Sequence, residues 1–384
     1  MCKKHLSILI YSLAGGGAER VVSILLDELK VDYEITLVLM CDKIDYEIPK
    51  DIKMVFLENS NPYEHGIKKL FKLPLLAWRY KKLCESHNVD ISLALMSRPS
   101  YIAILSKIFG NKVKNIISER TTPSMMYGKK NILSKVNKFL IKKLYPKADW
   151  IIANAEGNRL DLINNFAINP QKISTIPNLF DLKKIAMLST TPVDDIDFTP
   201  FTFVTVGRLD QGKNHKLMIN AFAKLENTSS QLLILGEGSE REALQVQIEA
   251  LGLSKRVVLL GFDNNPYKYF SKSDVFVFSS NYEGFPNVIV EALACNLPVI
   301  STDCKSGPRE ILLAHSALEP QLKEGLEESD YGILFPVNGE KELVQAMNMM
   351  LNGWQSDKMK SRASDFDKPV IANKFREVLK KGLV

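Results

Sequence analysis

The sequence predicts an α/β protein with two doubly wound, parallel-sheet domains that face each other across a cleft. Short apolar, β-branched segments alternate with amphipathic helical segments, the alternation stops in a polar stretch at 189–200, and it then restarts. A chain of 384 residues, 46% hydrophobic and 24% charged, is long enough to bury two such cores. Ligands of doubly wound domains bind beyond the carboxyl ends of the strands, so we expect the functional site in the cleft.

The first domain is expected to span residues 1–188. Its strands are short runs of β-branched and aliphatic residues, at 7–13, 34–40, 53–58, 90–96, 115–119 and 150–155. Helical periodicity begins at Glu19 and recurs near 68–86, 100–109 and 131–144. The polar, proline-containing stretch 189–200 is expected to be a linker.

The second domain is expected to span residues 201–365, with a final segment at 366–384 whose helix packs back on the first domain. The strands are expected at 201–207, 231–238, 257–262, 274–280 and 297–301. The helices are expected at 215–226, at 239–253, at 265–273 and after Pro286, because proline is tolerated in the first turn of a helix.

Composition excludes several classes of protein. A net charge of +6, dispersed along the chain, does not call for a nucleic-acid partner but suits an anionic ligand or an acidic membrane surface. Five widely spaced cysteines without a C-x-x-C pair indicate reduced thiols in a cytoplasmic protein, and five scattered histidines argue against a metal site. The N-terminus superficially resembles a signal peptide, but its apolar run is short and fits a strand better.

A glycine-rich loop, AGGGAER at 14–20, separates the first strand from the first helix. Backbone amides at Gly16 and Gly17 could approach a phosphate at the start of the helix. The loop is not a dinucleotide-binding G-x-G-x-x-G, and a tight turn without any ligand explains it equally well.

The loop VGRLDQGKN at 206–214 follows the first strand of the second domain. Arg208 and Lys213 project from a backbone that contains two glycines, and together they suit a diphosphate. The alternative is a solvated basic turn.

Two carboxylates, Glu283 and Glu291, lie eight positions apart in EGFPNVIVEALACNLPVIS. With a helix starting near Pro286, Glu283 lies just before the helix and Glu291 about a turn and a half inside it. Alone they could be two exposed acids, but the cationic loop and GEG at 236–238 are expected at the same sheet edge. There Glu291 can accept hydrogen bonds from ribose hydroxyls and Glu283 from a polyhydroxylated group beyond the phosphates.

Four motifs together resemble a known family: GGGAER at 15–20, GRLDQGKN at 207–214, LILGEGSEREAL at 233–244, and the E-x7-E pattern from Glu283 to Glu291. The chain resembles the retaining glycosyltransferases of the GT-B fold, family 4, over nearly its whole length. The resemblance implies a UDP-sugar donor held mainly by the second domain, with Glu283, Arg208 and Lys213 in catalysis. It also implies donor contacts by a larger set of residues, namely Gly16, Gly17, Arg208, Lys213, Glu237, Phe262, Gly284, Phe285, Asn287, Val288 and Glu291.

The resemblance implies a reaction without a metal or other cofactor. The chain has no D-x-D motif flanked by strands, and fixed cations can take the place of Mg²⁺ beside a leaving diphosphate. Many members of the family carry a histidine after a glutamate in the first domain, where this chain has Arg120. No residue is an obvious general base, so we expect front-side attack, in which the leaving phosphate helps to take the acceptor's proton.

A basic amphipathic segment at 129–147 places Lys135, Lys138 and Lys142 at helical spacing beside apolar residues. A second such segment at 67–83 adds Phe71 and Trp78. Ordinary outer helices with solvated lysines would look the same. The functional interpretation is a membrane-surface site for a polyprenyl-diphosphate-linked acceptor, with these lysines and Arg120 as acceptor contacts.

Across the whole chain, the sequence resembles the bacterial family 4 transferases that build lipid-linked oligosaccharides for protein N-glycosylation. The implied reaction moves N-acetylgalactosamine from UDP-GalNAc to an undecaprenyl-diphosphate-linked glycan on the cytoplasmic face of the inner membrane. The alternatives are another UDP-sugar in lipopolysaccharide, O-antigen or capsule assembly, a sugar-nucleotide epimerase of the same fold, and a non-catalytic partner. A pocket of this kind changes donor with few substitutions.

Overall fold

The computed structural model describes residues 3–60, 66–194, 196–313 and 316–381. Their contacts divide the chain into two compact units. The first unit comprises residues 1–180 and 368–384, and the second comprises residues 181–367. Each unit contains a sheet flanked by helices.

The sheet of the first unit is parallel throughout, in the order β3-β2-β1-β4-β5-β6-β7. The central strands are buried on both faces, which explains why their sequences are continuously apolar. The strands are β1 (Lys4–Leu9), β2 (Tyr33–Leu39), β3 (Lys53–Phe56), β4 (Ile91–Leu95), β5 (Lys114–Glu119), β6 (Trp150–Ala153) and β7 (Ile173–Thr175).

Helices cover both faces of this sheet and enclose two apolar cores. The helices that come before the second unit are α1 (Gly17–Leu29), α2 (Gly66–Phe71), α3 (Leu73–Ser86), α4 (Ser97–Ile108), α5 (Pro123–Met126), α6 (Ile132–Leu144) and α7 (Glu156–Phe166). Two short 3₁₀ turns lie at Tyr145–Lys147 and Pro170–Lys172.

The helical segment predicted near 68–86 consists of two consecutive helices, α2 and α3. The break falls at Lys72, and Pro74 lies in the first turn of α3. A proline there lacks the amide that would continue the ladder, and its ring crowds the carbonyl four residues earlier.

The sheet of the second unit has the order β10-β9-β8-β11-β12-β14-β13. All neighbouring pairs are parallel except β13 and β14, an antiparallel edge that the sequence did not predict. The strands are β8 (Phe201–Val206), β9 (Ser230–Leu235), β10 (Val257–Gly261), β11 (Val275–Phe278), β12 (Val299–Thr302), β13 (Glu327–Ser329) and β14 (Gly332–Phe335).

The helices of the second unit begin with α8 (Leu182–Ser189), just after the first unit ends. Asn265 donates a hydrogen bond to the carbonyl of Leu188 at 2.9 Å, and Ser271 donates one to that of Ser189 at 2.6 Å. These bonds tie α8 to the second unit. The others are α9 (His215–Ala223), α10 (Arg241–Ala250), α11 (Tyr267–Phe270), α12 (Asn287–Ala294), α13 (Pro308–Leu312), α14 (Glu340–Leu351) and α15 (Met359–Ser364).

The last helix, α16 (Lys368–Lys381), belongs to the first unit. Its apolar face includes Ile371 and Phe375, which are fully buried in the same core as α1. Arg376 forms an ion pair with Asp32 at 2.7 Å at the end of α1. Of the helices in the described ranges, none is long and apolar enough to cross a membrane.

Candidate functional site

The carboxyl ends of β8, β9, β10 and β11 lie at one edge of the sheet in the second unit, because these strands are mutually parallel. The loops that leave this edge carry five of the predicted catalytic and donor-binding residues. Arg208 and Lys213 follow β8, Glu237 follows β9, Phe262 follows β10, and Glu283 follows β11. These five residues therefore lie at one edge of the sheet in the second unit.

The glycines of the GEG motif allow the loops after β8 and β9 to touch. Gly236 has φ +134°, and a Cβ there would clash with the carbonyl oxygen of Gly207. A Cβ at Gly238 would clash with the carbonyl oxygen of Leu209. The amide of Leu209 donates to the carbonyl of Glu237 at 3.0 Å. This packing sets the position of the segment that carries Arg208.

Lys213 and Glu283 form an ion pair, with 2.5 Å between Nζ and Oε1. The side chains are only 23% and 14% exposed, respectively, so the pair is largely shielded from water. The ammonium group also lies 5.3 Å from the ring centre of Phe278. The loop is held in turn by Ser279, whose hydroxyl donates to the carbonyl of Lys213 at 2.9 Å.

Three further predicted donor contacts are exposed at this edge. Arg208 is 83% exposed and forms a 3.3 Å ion pair with Asp210. Glu237 forms a 3.1 Å pair with Arg241, one helical turn along. Phe262 is a large exposed aromatic side chain at the end of β10. An incoming anion or planar base would meet these groups with little rearrangement of the unit.

The loop that carries Glu283 packs against the segment KSGPRE at 305–310. The hydroxyl of Ser306 donates to the carbonyl of Gly284 at 2.9 Å. Gly307 has φ +92°, and a Cβ there would clash with the ring of Pro286. The sequence analysis did not select this segment, although a glycine between a serine and a proline is typical of a tight turn.

Helix α12 begins at Asn287, so Glu291 lies inside the helix and Glu283 before it, as the spacing predicts. Glu291 is buried, at 3% exposed. Asn287, Val288 and Gly284 are half-buried around the start of the helix. The two glutamates therefore lie at different depths of the same site.

Phe285, like Glu291, is a predicted donor contact that is buried in the structure. It packs edge-on against Phe366, with 5.6 Å between ring centres. A side chain in that position anchors the loop, and its contact with the donor stays a prediction. The sequence could not distinguish the two roles, because an aromatic residue in a glycine-containing loop suits both.

His215 begins α9 directly after the cationic loop, and sequence reasoning did not single it out. Its side chain is buried, and its Nδ1 atom has no hydrogen-bond partner among the described residues. Burial, together with the charge of Lys213, lowers the pKa of this imidazole to about 4. The imidazole is therefore neutral at physiological pH.

The glycine loop of the first unit is held by acidic and phenolic side chains. Asp45 accepts a hydrogen bond from the amide of Gly15 at 2.8 Å, and Tyr46 donates one to the carbonyl of Gly16 at 3.2 Å. Glu19 folds back against Gly16, and burial raises the pKa of its carboxyl group. A carboxylate thus already lies beside Gly16 and Gly17 at the start of α1.

Arg120 is buried, with only 7% of its surface exposed. Its guanidinium group donates to Ser118 at 3.2 Å and to Asn178. Burial lowers its pKa to about 10, so it stays charged at neutral pH. The preceding Glu119 is also buried and accepts a 2.6 Å hydrogen bond from Tyr145. Arg120 holds the loop after β5 and is not presented to solvent.

Helix α6 exposes Lys135, Lys138 and Lys142, as its periodicity predicts. Three apolar residues on the same helix, Ile132, Val136 and Phe139, are also exposed. A cavity of about 280 Å³ beside the helix is lined by Ser124, Lys138, Phe139, Lys142, Asn165 and Phe166.

Phe71 and Trp78, on α2 and α3, are exposed as well. Gly66, at the start of α2, lies against Leu133 of α6, so the two helical segments meet in the first unit. The unit thus presents exposed lysines and exposed apolar side chains on neighbouring helices.

No group of three or more His, Cys, Asp or Glu side chains within the described ranges is arranged to hold a metal ion. The candidate site in the second unit instead consists of two cations, three carboxylates and an exposed aromatic ring at a sheet edge. Sites of this composition suit a nucleotide diphosphate that carries a hydroxyl-rich group.

Solved structures of similar fold include a galactosyltransferase and a protein bound to UDP and glucose. The apo form of the lipopolysaccharide outer core galactosyltransferase WaaB has a TM-score of 0.74 at 22% identity, covering 98% of this chain and 99% of that one. Anabaena HepE in complex with UDP and glucose has a TM-score of 0.76 at 20% identity, covering 98% and 100%. The fold is therefore the GT-B fold, with two Rossmann-like units in one chain.

Sequence comparison identifies the family. The model for glycosyltransferase family 4 matches residues 15–184, and that for glycosyl transferases group 1 matches residues 192–365. A curated relative from Campylobacter jejuni is 45% identical over 382 residues, covering 98% of this chain and 99% of its own length. That relative is the N-acetylgalactosamine-N,N'-diacetylbacillosaminyl-diphospho-undecaprenol 4-alpha-N-acetylgalactosaminyltransferase. The chain belongs to glycosyltransferase family 4.

Proposed function

We propose that this glycosyltransferase moves N-acetylgalactosamine from UDP-GalNAc, with retention of the α configuration, to a glycan linked to undecaprenyl diphosphate. The observation that carries the proposal is the 45% identity to the Campylobacter enzyme, which extends over 98% of the chain and so covers both units. Similarity in the second unit alone would support only the identity of the donor. Identity over both units also supports a similar acceptor.

We assign the diphosphate of the donor to Arg208 and Lys213. Arg208 is exposed and can donate two parallel hydrogen bonds to phosphate oxygens. Lys213 is largely shielded from water and acts as a point charge. Glu291 accepts hydrogen bonds from the ribose hydroxyls, and Glu283 from hydroxyls of the sugar. Phe262 offers its exposed ring to the uracil base.

The remaining donor contacts are backbone and small side-chain groups around the start of α12, at Gly284, Asn287 and Val288. Phe285 supports them through its packing on Phe366. Glu237 and the glycine loop at Gly16 and Gly17 complete the proposed set. Because Glu19 lies beside that glycine loop, its carboxylate must turn away before a phosphate can approach.

In the proposed reaction, the bond between the sugar's anomeric carbon and the β-phosphate oxygen breaks as the acceptor hydroxyl oxygen attacks from the same face. The hydroxyl proton passes to the departing phosphate oxygen, and UDP leaves. Arg208 and Lys213 stabilise the growing negative charge on UDP in the role that a metal ion has in other transferases. Glu283 orients the sugar while its bond breaks.

The acceptor is assigned to the first unit. Lys135, Lys138 and Lys142 attract the acceptor's diphosphate and the acidic headgroups around it, and the exposed Phe139 enters the membrane interface. Arg120 is buried, so we assign it a positioning role beneath this surface. The protein would then work as a peripheral protein at the cytoplasmic face of the inner membrane.

The test is to incubate the purified protein with a panel of UDP-sugars and a short undecaprenyl-diphosphate-linked glycan, with and without EDTA. We expect products heavier by N-acetylhexosamine residues, formed from UDP-GalNAc, with EDTA having no effect and an α linkage in the anomeric NMR signal. Preferential use of another UDP-sugar would indicate a transferase of lipopolysaccharide, O-antigen or capsule assembly. Conversion of the UDP-sugar without transfer would indicate an epimerase.

A further inference from the structure

Lys213 and Glu283, the proposed contacts to the diphosphate and to the sugar, are bonded to each other in the structure. Their charged atoms are 2.5 Å apart, and both side chains are largely shielded from water. A donor molecule needs both groups. It therefore competes with this ion pair for each group.

The position of Lys213 is fixed on several sides. The aliphatic part of its side chain lies 3.6 Å from the position of a Cβ on Gly207, and its ammonium group lies over the ring of Phe278. Its backbone amide donates to Oδ1 of Asp210 at 3.1 Å. The ammonium group is thus directed at Glu283 by the loop itself, and the pair is pre-organised.

This pair differs from the ion pair between Arg208 and Asp210 at the same edge. Arg208 is 83% exposed, and ion pairs in water contribute little free energy. Shielding strengthens the attraction between Lys213 and Glu283, because the effective dielectric constant is lower there. Of the two cations proposed to bind diphosphate, Lys213 is therefore the one with a strong internal competitor.

We propose that Glu283 competes with the donor diphosphate for Lys213, and that this competition makes the site prefer a sugar nucleotide over the bare nucleotide diphosphate. The inference rests on the proposed function of the site. When a UDP-sugar binds, Lys213 turns to the diphosphate, and sugar hydroxyls donate to Glu283 in its place. When UDP binds alone, Glu283 loses its cation and faces an anion without those hydroxyls.

The same competition favours the release of product. After transfer, the sugar no longer occupies the space beside Glu283, and UDP remains on Lys213. Re-forming the ion pair then displaces the phosphate from Lys213, so UDP leaves more easily than the intact donor does. A ligand shifts an equilibrium only by its different affinity for the two states, and here the sugar hydroxyls supply that difference.

The test is the affinity for UDP, measured by calorimetry, of the wild type and of Glu283→Gln. Glutamine keeps the shape of the side chain and removes its charge. We expect UDP to bind about three- to tenfold tighter to the variant, because Lys213 has lost its competitor. UDP-GalNAc should bind no tighter, because the contact with the sugar is weakened at the same time. Unchanged or weaker UDP binding would overturn the inference.

A double-mutant cycle assigns the effect to Lys213. In a Lys213→Met background, which keeps the aliphatic stem over Phe278, Glu283→Gln should give no gain in UDP affinity. A gain that persists there would refute competition for Lys213. If thermal unfolding shows that Lys213→Met is not folded, Lys213→Gln serves in its place.

A matched control separates the pair from the general charge of the surface. Glu240 lies in the neighbouring loop, with its carboxylate 3.3 Å from Lys216, and is not a proposed donor contact. Glu240→Gln removes the same charge without freeing Lys213, so we expect the affinity for UDP to be unchanged. An equal gain in this variant would show a general electrostatic effect and overturn the inference.

Failure of the inference can be told apart from failure of the proposed function. If the donor site is correct, Lys213→Met and Glu291→Gln both weaken UDP binding. Should both retain wild-type affinity for UDP, the site assignment is wrong and the competition with it. Should both weaken binding while Glu283→Gln gives no gain, only the competition is overturned.

Discussion

Neutralising the three exposed lysines of α6 tests whether the first unit engages the lipid-linked acceptor. The variant replaces Lys135, Lys138 and Lys142 by glutamine. Each side chain is exposed, so its removal should leave the fold intact, since exposed charges contribute at most about 1 kcal/mol to stability. The helix keeps its N-cap, the 2.8 Å hydrogen bond from the amide of Ser134 to Asn131.

The expected effect on the lipid-linked substrate is large. A lysine near an acidic membrane surface contributes about 1 kcal/mol of attraction, so three together contribute about 3 kcal/mol. Every 1.4 kcal/mol is a tenfold change in an equilibrium constant, and the association with acidic vesicles should fall roughly a hundredfold. The exposed apolar residues Ile132 and Phe139 remain, so some binding to the interface should persist.

The assay measures vesicle co-sedimentation, transfer to lipid-linked acceptor at low and high salt, and UDP affinity. We expect transfer to fall mainly at low salt, because screening already weakens the wild type at high salt. UDP affinity should not change. The control variant carries three Lys→Gln substitutions at the exposed positions Lys43, Lys50 and Lys53, which lie outside α6, and should transfer normally.

Three outcomes would contradict the assignment. Undiminished transfer at low salt would make the lysines of α6 an ordinary solvated face. An equal loss in the control variant would reduce the effect to net charge. A loss of UDP affinity would show that α6 serves the donor instead of the acceptor.

Three further predictions concern the second unit. Glu291→Gln should mainly raise the KM for the donor, because it weakens the contact with the ribose, whereas Glu283→Gln should mainly lower kcat. The same kinetic pattern in both variants, or the reverse pattern, would refute this division of roles. Gly236→Ala should abolish donor binding and lower the free energy of unfolding by about 1–3 kcal/mol. The reason is that residue 236 has a positive φ and that a Cβ there would clash with Gly207. A crystal structure of the variant with an unshifted loop would contradict this. His215 has a pKa of about 4 in the folded state and 6.5 in the unfolded state, so the unfolded state takes up the proton first as the pH falls. The free energy of unfolding should therefore fall by about 3 kcal/mol between pH 6.5 and pH 4. An equally steep pH dependence of denaturant unfolding in His215→Gln would contradict this.

Much of the second unit could be predicted because its signals are local. The alternation of strands and helices is visible in the pattern of apolar residues, and parallel strands bring their carboxyl ends together. The spacing of Glu283 and Glu291 around one proline was enough to place one before α12 and the other inside it. These conclusions require no knowledge of which side chains meet.

What the sequence could not give is the pairing of side chains across loops. Arg120 and Phe285 have the residue types of a ligand contact, and the structure buries both against other side chains. Their orientation depends on Asn178 and Phe366, which are distant in sequence. The ion pair of Lys213 with Glu283 was missed for the same reason, since 70 positions separate the two residues.

The position of α16 has a consequence for the order in which the protein folds. Residues 368–381 are synthesised after the second unit, yet they supply Ile371 and Phe375 to the core of the first unit. During synthesis, the apolar surface of the first unit that α16 covers therefore stays exposed to solvent while about half of the chain is still being made. The second unit has no such dependence and can reach its native state first, although it begins later in the chain.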